Sequence, residues 1–238
     1  MALPKLNTPI YSYTLPDSKR EIKFRPLLAG EYKALLTIVA FEDVSAIANT
    51  VLEVLTRCVT DGTDVTKLSF VDVESLFLHL YAKSSENAIA IQMRCTEPDK
   101  DGKPCDTSFN LPIKIDDITV TENPISNIVD LGDGMGIKLK YPPFGAWFIH
   151  QDDAADDDAI VIDCIESIFD KEGVYEPLVD ASLEEVLDFL DALPQEAAAQ
   201  ITDFIDNMPE VYWSREITCP KCKHKEQFTL QGLYSFFA

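Results

Sequence analysis

The spacing of apolar residues changes from that of strands to that of helices within the first third of the chain. Residues 10–24 alternate about a Pro-Asp-Ser turn, which predicts an antiparallel hairpin. Segments with helical spacing follow over residues 28–39, 44–59 and 69–86. The apolar residues of the first of these helices fall on one helical face: Leu28, Tyr32, Leu35, Leu36 and Val39.

The middle of the chain returns to strand-like patterns. The segments "AIAIQMRC" and "DTSFNLPIKI" predict a hairpin that places Cys95 and Cys105 at its facing tips. Short strands and turns are expected over residues 116–141, and a Pro-Pro pair at 142–143 marks a boundary.

Beyond that boundary the chain becomes helical and strongly acidic. A capping box of Ser182 with Glu185 opens one predicted helix, and Pro194 stands at the first helical position of another. Residues 157–170 predict a further helix. Its expected buried stripe consists of Ile160, Cys164, Ile165, Ile168 and Phe169.

Strand-like runs then surround a C-P-K-C sequence, Cys219 to Cys222, before an apolar tail, "GLYSFFA". These patterns predict an α+β fold with two helical groups, small antiparallel sheets and a split zinc-ribbon-like pair of hairpins. We assign residues 1–141 to the N-terminal hairpin, the first helical group and the first cysteine hairpin. Residues 142–238 hold the acidic helices and the cysteine-knuckle hairpin, and we expect the two parts to pack as one unit.

The charge balance is the unusual feature of the composition. The chain carries 41 acidic and 20 basic residues, a net charge of −21. Such a chain repels phosphate backbones, so we expect no nucleic-acid partner through a large basic surface. No apolar run is long enough for a bilayer span, and we expect neither a membrane segment nor a signal peptide. The cysteines are therefore expected in a reducing compartment, as metal ligands or free thiols.

The cysteine pairs are the strongest chemical signal. Cys219 and Cys222 have the spacing of a zinc knuckle, and Cys95 and Cys105 flank a loop with the turn signal Asp-Gly. Both pairs stand between strand-like runs, so the sequence predicts a structural zinc site with these four cysteines as ligands. A redox dithiol requires a C-x-x-C that opens a helix, which is not the pattern here, and free thiols are the remaining alternative.

Other candidates favour structural roles. Cys58, Cys164 and His79 lie on apolar helical faces, where buried packing is expected. His150 precedes an acidic run that lacks the pattern of a calcium loop, so we interpret the run as a solvated helix start. The glycines in "LGDGMGIKL" precede a strand and not a helix, so they indicate no phosphate site. We therefore predict no catalytic residues and no enzyme.

Several stretches together resemble one viral family. They are an "FRP" followed by a helix, an "AKS" segment, a C-I-x-S-I segment, and a cysteine hairpin before a final G-L-x-x-F-F. In this order they resemble the baseplate hub assembly proteins of T4-like contractile-tailed bacteriophages, over nearly the whole chain. The resemblance implies a non-enzymatic assembly factor, chaperone or minor hub component that binds other baseplate and tail proteins. It also implies action in the host cell cytoplasm during phage assembly, or in the virion baseplate.

Two further expectations concern partners. The acidic region 152–207 and the apolar tail are candidate partner surfaces, and packing on the domain is the favoured interpretation of the tail. The alternative function is a zinc-ribbon nucleic-acid-binding or regulatory module, which rests on the basic tip formed by Lys221, Lys223 and Lys225.

Overall fold

The fold is α+β, as predicted. The computed structural model describes residues 7–39, 44–85, 88–98, 102–152 and 157–236. Its helices are α1 Ala29–Val39, α2 Val44–Cys58, α3 Phe70–Ser84, α4 Phe144–Asp152, α5 Asp157–Cys164, α6 Leu183–Asp191 and α7 Gln195–Asp206. Its strands are β1 Tyr11–Thr14, β2 Glu21–Phe24, β3 Ala88–Cys95, β4 Thr107–Lys114, β5 Thr119–Val120, β6 Ile128–Gly132, β7 Met135–Leu139, β8 Ile165–Phe169, β9 Val174–Tyr175, β10 Val211–Thr218 and β11 Lys225–Gln231.

The strands form small antiparallel sheets. The pairs β1–β2 and β3–β4 are hairpins, as predicted. The last hairpin, β10–β11, takes β5 as a third strand, so the end of the chain pairs with its middle. A four-stranded sheet has the order β6-β7-β8-β9.

Helix α3 is the centre of the core, and almost every residue in its first three turns is buried. Its polar side chains are buried with partners. Asp72 accepts hydrogen bonds from the backbone N–H groups of Asp17 (2.8 Å) and Ser18 (3.1 Å), so it fixes the β1–β2 turn on the start of α3. The Tyr13 ring stacks on His79, whose Nδ1 lies 2.8 Å from the carbonyl oxygen of Ser75, in agreement with the predicted packing role.

One apolar cluster contains residues from both sides of the boundary at 142. Phe70 of α3 stacks on Trp147 of α4 with ring centroids 4.5 Å apart, and Tyr141 stacks on Phe204 of α7 at 5.5 Å. The division into residues 1–141 and 142–238 stays a prediction, because the packing does not itself define a domain boundary.

The motif "FRP" positions a buried ion pair at the start of α1. The guanidinium of Arg25 donates to both carboxylate oxygens of Glu31, at 2.6 and 3.0 Å. The backbone N–H of Leu28 donates to the same carboxylate at 2.6 Å. The hydrogen bonds from Arg25 are the main reason that the pKa of Glu31 is lowered. This carboxylate binds both the guanidinium of Arg25, which follows β2, and the N–H of Leu28, which precedes α1. The motif therefore joins the second strand to the first helix.

The helix predicted over residues 157–170 is wrong in its second half. It ends at Cys164, and residues 165–169 instead form β8, in which Ile168 pairs with Ile137. Of the apolar residues predicted to share one face of the first helix, Leu35 is buried, whereas Leu28, Tyr32 and Leu36 are exposed. The side chain of Val39 lies outside the described residues.

The starts of two predicted helices agree with the structure in one case and differ by one residue in the other. The capping box of Ser182 and Glu185 is present, and Pro194 is the N-cap of α7 and not its first helical residue.

Cys58 and Cys164 are fully buried, and burial raises the pKa of each thiol, to about 11 and about 12, so these thiols are unreactive.

The apolar tail packs on the domain, in agreement with the favoured interpretation of its sequence. Leu233 and Phe236 are buried, and the side chain of Tyr234 and the whole of Phe237 lie outside the described residues. The prediction for His150 also falls on a side chain outside them. Among the helices that the structure describes, none has the length and apolar character needed to cross a membrane.

Candidate metal centre

Four cysteine sulfurs meet where the two cysteine hairpins touch. The sulfurs of Cys95, Cys105, Cys219 and Cys222 all lie within 4.8 Å of one another. Cys95 is 3.6 Å from Cys222, and Cys105 is 3.7 Å from Cys219. Each hairpin thus contributes two thiols, and the structure brings together all four residues that the sequence predicted.

The first hairpin presents its two cysteines at the two ends of the loop between β3 and β4. Cys95 is the last residue of β3, and the backbone N–H of Glu97 donates to its sulfur. Cys105 donates its own N–H to the carbonyl of Glu97 at 2.8 Å, which closes the loop. Asp106 then adopts φ 56°, and this left-handed residue turns the chain back into β4. The wide spacing of the two cysteines is therefore compatible with one site.

The second hairpin is a compact knuckle. The backbone N–H groups of Lys221 and Cys222 donate to the sulfur of Cys219, and that of His224 donates to the sulfur of Cys222. Cys219 also donates its N–H to the carbonyl of His224 at 2.8 Å. Lys223 has φ 64°, which allows so tight a turn. His224 therefore contributes its backbone, and its side chain is not part of the four-sulfur cluster.

The separations match a tetrahedral metal site. Four thiolates bound to zinc at about 2.3 Å lie about 3.8 Å from one another, close to the two shortest separations here. These sulfur–sulfur separations are far longer than a disulfide bond of about 2.05 Å, and all six cysteines are free thiols. A tetrahedral set of four sulfurs is typical of zinc or iron.

The electrostatic environment favours a bound cation. Hydrogen bonds from the backbone N–H groups of Cys222 and Lys221 lower the pKa of Cys219 to about 6. In the absence of a cation, burial and the neighbouring thiols raise the pKa of Cys95 to about 12. Four thiols this close cannot all ionise unless a metal neutralises them, so the donor set and the hydrogen bonds fit a metal ion.

One contact at the site could not be predicted from spacing. Lys221 reaches across to the first hairpin, where its Nζ donates to the carbonyl oxygen of Cys105 at 3.0 Å. Its positive charge lies beside a cluster that would be doubly negative with a divalent ion in place. The only signal in the sequence was the presence of a lysine inside the knuckle.

A set of four protein ligands leaves no open position on a metal for substrate or water. Cys105 and Cys219 are buried, while Cys95 and Cys222 are half-buried. The arrangement can therefore clamp two distant hairpins together. It has no geometry for metal-activated hydrolysis.

The family of the chain follows from its comparison with known proteins. Residues 8–238 match the family model described as the T4 bacteriophage base plate protein. The chain belongs to this family. No curated protein and no solved structure matches it.

The match extends over nearly the whole chain of this baseplate protein and so includes both cysteine hairpins. Both cysteine pairs therefore lie within the region of the chain that defines the family, and neither belongs to an appended module. Family membership also associates the chain with other phage tail and baseplate proteins.

Proposed function

We propose that this baseplate protein is a non-enzymatic assembly factor of the baseplate hub, acting as a chaperone or a minor structural component. It binds other hub or tail proteins and transforms no small molecule. The observation that carries the proposal is the family match over residues 8–238. The closed geometry of the cysteine cluster supports it, because such a site stabilises a fold and offers no place for a substrate.

In this proposal the four cysteines hold a structural zinc ion. The zinc ties the end of the chain to its middle, through one pair of thiolates from each hairpin. Elemental analysis of protein purified without chelator tests this part. One zinc per chain supports it, whereas iron in place of zinc, or no metal, contradicts it.

We place the action of the protein in the host cell cytoplasm during phage assembly, before or during its incorporation in the virion baseplate. The test is co-expression with the other baseplate and tail proteins of the same phage, followed by affinity purification. Stable co-purification with one of them supports the assembly role. If none binds at micromolar concentration, the assembly role is wrong.

The structure gives little support to the alternative of a nucleic-acid-binding or regulatory zinc ribbon. Each lysine of the basic tip has a local partner: Lys221 the carbonyl of Cys105, Lys223 the carbonyl of Pro220, and Lys225 the carboxylate of Glu216. The rest of the chain is strongly acidic. Salt-sensitive DNA binding that disappears when these lysines are neutralised would favour the alternative.

A further inference from the structure

A hydrogen-bonded turn between β9 and α6 exposes large apolar side chains to solvent. Its ends are tied by three hydrogen bonds: the N–H of Glu176 donates to the carboxylate of Asp180 (2.8 Å), and the N–H groups of Val179 (3.2 Å) and Asp180 (2.9 Å) donate to the carbonyl of Glu176. At its tip, Leu178 is 55% exposed and Val179 is 71% exposed. The turn is therefore closed by hydrogen bonds while the side chains at its tip remain largely exposed to solvent.

The backbone of Leu178 is strained. Its φ is 62°, in the left-handed region that glycine and asparagine adopt easily and a leucine rarely does. A bulky, exposed leucine contributes little to stability in this conformation. Strain of this kind at an exposed apolar residue is typical of a functional surface.

Exposed apolar side chains flank the turn on both sides in the chain. Val174 in the edge strand β9 is 69% exposed, and Leu183 at the start of α6 is 53% exposed. Tyr175 lines a separate, largely apolar groove of about 240 Å³, together with Met135 and Phe189. We call Val174, Leu178, Val179 and Leu183 the 174–183 surface.

Acidic residues dominate the segments of the chain that adjoin this surface. Between residues 170 and 191 the only basic residue is Lys171. The acidic residues of that range are Asp170, Glu172, Glu176, Asp180, Glu184, Glu185, Asp188 and Asp191. A surface with an apolar centre and a rim of one charge favours a partner of opposite charge, because such a rim accelerates encounter and rejects partners of like charge.

We propose that the 174–183 surface is the docking site for another baseplate protein, which presents apolar side chains flanked by lysine or arginine. This inference rests on the assembly role proposed above. A second copy of this chain is a poor occupant, since a symmetric dimer would bring two acidic rims together. Nucleic acid is excluded by the same charge.

The test measures binding of each of the phage's own baseplate proteins, tagged and purified, to the full-length chain. The decisive variant is Leu178→Asn with Val179→Ser, because asparagine suits the left-handed backbone and neither side chain packs in the core. The variant should keep its melting temperature while the affinity falls at least tenfold. The control is Leu28→Ser, just before α1, with Leu36→Ser on α1. These leucines are 44% and 59% exposed, and the control variant should bind like the wild type.

The acidic rim is tested separately with charge reversals. Glu184→Lys with Asp188→Lys, on the exposed side of α6, should lower the affinity and flatten its dependence on salt. Asp203→Lys with Asp206→Lys changes the net charge equally on α7 and should have a smaller effect.

The outcomes separate the two proposals. If no baseplate protein binds the wild-type chain, the assembly role itself is wrong. If a partner binds the wild type and the Leu178→Asn, Val179→Ser variant equally, the docking site is wrong and the assembly role stands. If sedimentation shows a wild-type dimer that this variant abolishes, the surface binds a second copy and the proposed partner is wrong.

Discussion

The sulfur of Cys95 lies 3.6 Å from that of Cys222, although 127 residues separate the two cysteines in the chain. Between them lie β4 to β10 and all the acidic helices. A metal ion bound at this point would close a very long loop. Its contribution to stability is therefore expected to be large, because the unfolded chain seldom brings the four thiols together.

The replacement Cys219→Ser should remove metal and stability together. Loss of one thiolate weakens a tetrahedral site and leaves three thiols close to one another. We expect less than one metal ion per chain and a loss of about 3–5 kcal/mol, a fall in Tm on the order of 10 °C. Calorimetry and elemental analysis of the same sample measure both quantities.

Cys58→Ala is the matched control, because Cys58 is buried in α2 and is not part of the cluster. It should lose some stability and keep its full metal content. A Cys219→Ser variant that melts like the wild type contradicts the structural role of the cluster.

Removal of the metal with a chelator should loosen the two cysteine hairpins first. The hairpins β3–β4 and β10–β11 belong to different sheets and contact each other at the sulfur cluster and through Lys221, whereas α3 is held by the apolar core. Hydrogen exchange should therefore accelerate near residues 93–109 and 216–227, while amides of α3 keep their protection. Equal acceleration throughout the chain would show instead that the metal stabilises the whole fold as one unit.

Glu74 predicts a measurable pH dependence of stability. Its carboxyl is buried in α3. Burial, with a smaller contribution from the charge of Glu210, raises its pKa to about 8, although the N–H of Leu233 donates to it. Because this native pKa lies above the value of 4.5 for an unperturbed glutamate, the contribution to stability is fully present below pH 4.5 and is lost as the pH rises through 8.

The variant Glu74→Gln should therefore gain stability relative to the wild type between pH 5 and pH 8.5, by a few kcal/mol. Urea unfolding at the two pH values measures the difference. Glu184→Gln, at an exposed position, should show no such trend. If Glu74→Gln changes stability by the same amount at both pH values, the carboxyl does not titrate as described.

Gly136 in β7 should not tolerate a side chain. A Cβ there would lie 2.5 Å from the ring of Phe169 and 2.8 Å from the carbonyl oxygen of Val129, so the adjacent strand would have to move. Gly136→Ala should lower the free energy of unfolding by about 2–4 kcal/mol. Gly30→Ala is the matched control in α1, where the Cβ meets nothing within 4 Å, and it should raise stability by up to about 1 kcal/mol. Chemical denaturation of the two variants measures both effects, and a destabilised Gly30→Ala would contradict the helix assignment.

Local periodicity predicted most helices and strands correctly, because the structure that each local pattern favours also fits the elements packed against it. The segment after Cys164 shows the opposite case. Ile165, Ile168 and Phe169 fit a helical stripe, yet the segment forms β8, because β7 offers a free edge and Ile168 meets Ile137 across it. A pattern of five residues cannot distinguish a last helical turn from a short strand, and the neighbouring strand decides.

Burial was the second property that the pattern could not settle. The apolar residues of α1 share one helical face by their spacing, but packing covers Leu35 and leaves Tyr32 and Leu36 exposed. The opposite holds for Glu74, an ionisable residue that the sequence would place at the surface. It lies in the core beside Phe148, Glu210 and Leu233 of three other segments. Periodicity identifies a candidate face, and the arrangement of the other elements determines whether that face is covered.

The sequence by itself determined the types of the longest helices and hairpins, the excess of negative charge, and the identity of the four thiols. These properties depend on composition and on the spacing of residues close together in the chain, so they do not require knowledge of the fold. Tertiary structure alone decided that the thiols of Cys95 and Cys222 meet, that β5 joins the last hairpin, and that Leu178 stays outside the core. The physical reason is that these relations join residues far apart in the chain, and the packing of the whole core selects among the many pairings that local patterns permit.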